Sequence, residues 1–146
     1  MDQYLQAAGV ERVLVGHAPH GQSPLVMRSP QGVDYLACDS SYSDMKAKSN
    51  APRGQAASAV TIVKDADGNE SVNVDGQLAD GTKIAFDVAA GGGGDPFVGR
   101  ETTDGFWVKA RIADGEADAG KYVLCKEKGF VLEHETVASD ALESRL

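Results

Sequence analysis

The 146-residue chain carries 22 acidic against 14 basic residues, a formal charge of −8, and 42% hydrophobic residues. That apolar share supports one real core and excludes wholesale disorder, while the acidity, spread without a basic patch, argues against nucleic acid as a partner. No apolar run approaches the ~20 residues of a membrane helix. The opening lacks a basic segment followed by a long apolar stretch, so no membrane partner is expected and a cytoplasmic location is the default.

In chain order, Asp2 is expected to cap a short helix over Gln3–Ala8, stopped by Gly9. Arg12–Val15 reads as a buried strand that runs into Gly16-His17-Ala18-Pro19-His20-Gly21. Val33–Cys38 is a second strand, ending at Asp39-Ser40-Ser41-Tyr42-Ser43-Asp44. Lys46–Gln55 holds Pro52 and Gly54 and reads as loop, and Ala59–Val63 is a β-branched third strand. Asp67-Gly68, Asp75-Gly76 and Asp80-Gly81 then mark turns between short strands. Asp65–Glu70 lacks the spacing of a calcium loop and reads as a hairpin turn. Gly91–Gly94 is a flexible connection rather than a phosphate loop, because no Lys-Ser/Thr helix start follows it.

Beyond the glycines, Phe106–Ile112, Lys121–Lys126 and Phe130–Val137 read as strands, anchored in the core by Trp107, Tyr122, Phe130 and Leu132. Lys109 and His134 are expected to face water. Cys38 and Cys125 lie in apolar strands and read as buried reduced thiols. Ala138–Leu146 is a polar tail with at most one helical turn. The organisation expected is an α/β part over residues 1–64, a β-rich region over 65–137, and a tail over 138–146.

Chemistry concentrates after the first strand. Gly16 lets backbone and ligand approach closely, and His17 projects from the carboxyl end of the strand, where sheets of this type place ligand sites. Pro19 stiffens the turn. The inert reading is a pair of loop histidines near a sheet end.

Val13-Leu14-Val15-Gly16-His17-Ala18-Pro19 resembles the Gly-His-Thr-Pro block of calcineurin-like metallophosphoesterases. Tyr35–Ser43 resembles the next strand and loop in the bacterial-type phosphoprotein phosphatase branch, and Arg53-Gly54-Gln55-Ala56 leading to Ala59–Val63 fits the approach to a further strand. The similarity spans the first 64 residues. It implies an α+β chain: the C-terminal part of an α/β/β/α metallophosphatase sandwich, followed by an antiparallel β meander. It also implies a metal-dependent phosphoester hydrolase acting on a phosphorylated protein or small molecule. Two divalent ions of the Mn/Fe/Zn type would lower the pKa of a shared water.

Within that resemblance His17 is the metal-ligand candidate. In the family a second ligand stands two residues after the first, where this chain has Pro19. His20, one residue further, is therefore either a ligand or a group facing substrate or solvent. Asp39 and Tyr42 fall at the rim, orienting His17 or a substrate phosphate. Arg53 contacts phosphate or forms a surface ion pair. The family's Gly-Asp-x-His, Gly-Asp-x-x-Asp-Arg and Gly-Asn-His-Glu blocks are absent from these residues, which implies a fragment without activity of its own. The competing reading is a non-catalytic β-rich binding or regulatory module attached to a vestigial phosphatase segment. A cysteine nucleophile fails on context, since Lys126 beside Cys125 is the sole basic neighbour in sequence.

Overall fold

Arg12–Val15 forms β1, and its pairing sets the first sheet. The computed structural model describes residues 1–17, 19–40, 56–88, 94–129 and 131–146. After α1 (Asp2–Ala7) come β1, β2 (Leu25–Arg28) and β3 (Asp34–Ala37), in the spatial order β1-β3-β2. β1 runs parallel to β3, and β2 runs antiparallel to it. Ser29–Gly32 closes the β2–β3 hairpin: Pro30 presets the first turn dihedral and Gly32 N–H donates to the Ser29 carbonyl. α1 buries no residue and is held instead by Tyr35, whose hydroxyl donates to the Asp2 carboxylate at 2.5 Å.

β4 (Ala57–Lys64), β5 (Glu70–Gln77) and β6 (Lys83–Val88) make an antiparallel second sheet. Asp65 shapes its first turn by accepting from Asn69 Nδ2 and the Asp67 and Asn69 amides, which hold its carboxyl below the usual range. Asp75-Gly76, expected as a turn, lies inside β5. A Cβ at Gly76 would stand 2.5 Å from the Ala57 carbonyl oxygen, so the glycine is there for the close approach of β4. β7 (Trp107–Arg111), β8 (Tyr122–Lys128) and β9 (Val131–Val137) form the third sheet, and α2 (Ser139–Glu143) follows.

This architecture corrects the expected α/β/β/α sandwich. The helices have six and five residues, too short to cover a sheet face. The crossover between the parallel strands β1 and β3 holds a strand rather than a helix, because Pro19, Gly21, Pro24, Pro30 and Gly32 interrupt any helical run. Among the described residues, no helix is long and apolar enough to cross a membrane.

One core joins the three sheets through Val26 and Leu36, through Val72, Val74, Ile84 and Phe86, and through Ala110, Ile112 and Val123. A second, smaller cluster takes Val108, Tyr122, Leu124 and Leu142 on the opposite face of the third sheet. β7 therefore changes face between Val108 and Ala110. A bulge does this: Val108 pairs with Leu124 and Ala110 with Val123, leaving Lys109 as the extra residue. Tyr122 and Leu132 are buried as expected, Trp107 is half-buried, and Phe130 lies outside the described residues.

Candidate functional site

The parallel register of β1 and β3 builds the site. Val15 lies opposite Ala37, and the Cys38 amide donates to the Val15 carbonyl at 2.9 Å. The ladder ends there, and His17 and Asp39 each lie two residues beyond it, past the carboxyl ends of neighbouring strands. His17 is exposed and has φ 75°, the sole non-glycine positive φ among the described residues. Its backbone turns out of the sheet in the left-handed region, a conformation that histidine tolerates better than branched residues do. Asp39 is half-buried. Tyr42 and Arg53 lie outside the described residues.

His20 goes elsewhere. Its Nε2 is 3.6 Å from Glu127 on β8, and its Nδ1 is buried with no hydrogen-bond partner among the described residues. Burial lowers its pKa first, and Lys109 adds to that, while Glu127 opposes. The side chain is thus turned into the third sheet.

Sequence reasoning missed what His20 meets there. Lys109, expected in water, is 1% exposed, and its Nζ donates to the His20 carbonyl at 2.5 Å. His134, expected on the surface, has a buried Nε2 without a partner among the described residues. The Gly21 backbone lies against both β8 and β9: a Cβ there would stand 3.1 Å from His134 Nε2 and 3.3 Å from Cys125 Sγ. Burial brings the Lys109 ammonium down to about 7 and pushes the Cys125 thiol up to about 11. Burial also lowers His134, with Lys109 and His20 acting in the same direction. Cys125 at that value is a thiol at neutral pH, so this pocket of bases generates no thiolate. The signal for it in the sequence was faint: a lysine flanked by Val108 and Ala110 in an apolar strand.

Among the described residues, no group of three or more His, Cys, Asp or Glu side chains is placed to hold a metal ion. At the far end of β1, Arg12 is buried between Asp34, 3.7 Å away, and Glu70, while Arg28 also pairs with Asp34 at 2.7 Å. These pairs tie the first sheet to β5. No protein-family model, characterised protein or solved structure matches the chain.

Proposed function

We propose that this chain contributes part of a metal-dependent phosphoester hydrolase, with His17 as a metal ligand and Asp39 beside it. The observation that carries the reading is the parallel pairing of β1 with β3, which brings an exposed imidazole and a carboxylate to one sheet end. Imidazole and carboxylate together suit a divalent ion of the Mn, Fe or Zn type. A centre of that kind supplies an activated water for attack on phosphorus. The described residues do not complete it.

β1 supports the need for a completing segment. It is a terminal strand of its sheet, with Leu14 and Val15 48% and 44% exposed on opposite faces. A further strand laid on this edge would pair with the β1 backbone and reach the sheet end that carries His17. The test is Mn(II)-dependent hydrolysis of p-nitrophenyl phosphate by a longer reading frame containing this chain, wild type against His17→Ala. Collapse of activity in the variant supports the assignment. Activity that survives the substitution unchanged removes His17 from the centre.

A second reading, a non-catalytic β-rich binding module, is favoured by a different observation. Ile62 and Val63 on β4, the terminal strand of the second sheet, are exposed, and Ile62 lines a shallow depression with Leu14. Open edges with apolar side chains suit an added peptide strand. Saturable peptide binding without phosphoester hydrolysis by the longer frame would favour this reading.

A further inference from the structure

A lysine buried for stability alone is normally paired with a carboxylate. Lys109 is not. Its ammonium donates to the backbone carbonyl of His20, 89 residues away in sequence, while the nearby Glu127 is mostly exposed and pairs with the His20 ring. The other titratable groups around it are Cys125 on β8, His134 on β9 and the His20 imidazole. Lys109 is also the extra residue of the β7 bulge, the point where that strand changes face from the Val108 cluster to the Ala110 and Ile112 core. Bulges re-aim side chains, and this one turns an amine inward that an unbroken ladder would not contain.

We propose that Lys109 is a positioning residue for the segment that follows His17, holding it at His20, so that the third sheet is part of that segment's scaffold. Two contacts anchor the turn at one end: the Lys109 bond to the His20 carbonyl and the close seating of Gly21 on Cys125 and His134. His17 stands three residues before His20 on a left-handed backbone. Three residues of chain span at most about 10 Å, so where the His20 end is held bounds where His17 can stand. The consequence for metal binding rests on the function proposed above; the anchoring does not. Neutral amine and ammonium both donate to a carbonyl, so the anchor holds on either side of the lysine's titration.

The experiment uses the full chain and two variants, Lys109→Met and Lys109→Gln. Backbone ¹⁵N relaxation is measured at His17, His20 and Gly21, and Mn(II) broadening is followed at the His17 imidazole. In both variants the order parameters of the turn are expected to fall from about 0.85 to below about 0.6, while those of β5 and β8 hold. The Mn(II) midpoint at His17 is expected to weaken about tenfold, the size of one charge-assisted hydrogen bond. Unchanged order in the turn overturns the proposal. So does loss of the whole fold in both variants, which would make Lys109 a core element and nothing more. If wild-type His17 ignores Mn(II) but the turn still loosens, the anchor stands and the metal reading fails.

Discussion

Replacing Lys109 by methionine should stabilise the protein at neutral pH and destabilise it in base. The folded-state pKa of about 7 lies below the usual 10.5 of lysine. Between those values the unfolded chain holds a proton that the folded chain has released, so stability rises with pH across that window and is lowest below pH 7. At about 1.4 kcal/mol per pH unit, the full interval corresponds to about 5 kcal/mol, nearly all of it still present at pH 7. Methionine is close to lysine in length and removes that penalty. It also strips the His20 carbonyl of its donor, which costs about 1–3 kcal/mol. The net expectation is a gain of about 2–4 kcal/mol at pH 6–7 that reverses by pH 10.5, where neutral lysine still donates. His20 and His134, both lowered by burial, add to the wild-type loss of stability below pH 6.5. Urea unfolding from pH 6 to 10.5, followed by the fluorescence of Trp107, the one tryptophan and a β7 residue, gives the comparison directly. A variant destabilised equally at every pH would falsify the reasoning.

Three further outcomes follow from the geometry. His17→Gly should raise stability by about 1 kcal/mol, because glycine adopts the left-handed conformation without the Cβ clash; a lower melting temperature would mean that contacts, not backbone, hold His17 in place. Asp34→Asn removes the buried carboxylate shared by Arg12 and Arg28 and should cost about 3 kcal/mol in urea unfolding. A midpoint within error of wild type would show that solvent already satisfies both guanidinium groups. Gly76→Ala forces a Cβ into the Ala57 carbonyl and Ser58 and should cost about 2–3 kcal/mol, with amide exchange rising first along β4. Unaltered exchange there would mean that β4 shifts without cost.

The sequence was legible where short-range chemistry decides. Arg12–Val15 and Ala59–Val63 read as strands because β-branched residues fit a pleated surface, although the first was expected to be buried and has Leu14 and Val15 exposed at its sheet edge, and Asp67-Gly68 and Asp80-Gly81 read as turns because glycine supplies the positive φ. Asp75-Gly76 carried the same signal but not the same cause: proximity of β4 was a tertiary fact that no local pattern records. β2 went unread because Leu25–Arg28 is short and sits between Pro24 and the Ser29–Gly32 turn, leaving little periodicity to detect. The sandwich expectation came from a resemblance confined to residues 1–64, and the helices it requires have no counterpart in the described residues. His17 was singled out through its motif, and it and Asp39 each follow the paired part of their strands by two residues. Cys125 was rightly read as a buried thiol, but the burial of Lys109 and of the His134 ring was missed, the former because a bulge sets the face of Lys109 and no local pattern records it.

That bulge has the arithmetic of an insertion. Reading β7 with Lys109 left out gives Trp107 opposite Cys125, Val108 opposite Leu124, Ala110 opposite Val123 and Arg111 opposite Tyr122, an uninterrupted ladder. Every other side chain of the strand would keep its present face, Val108 toward Leu142 and Ala110 toward the main core. The hairpin is therefore complete without residue 109. Loss of a single codon would return it to a regular ribbon that no longer donates to the His20 carbonyl.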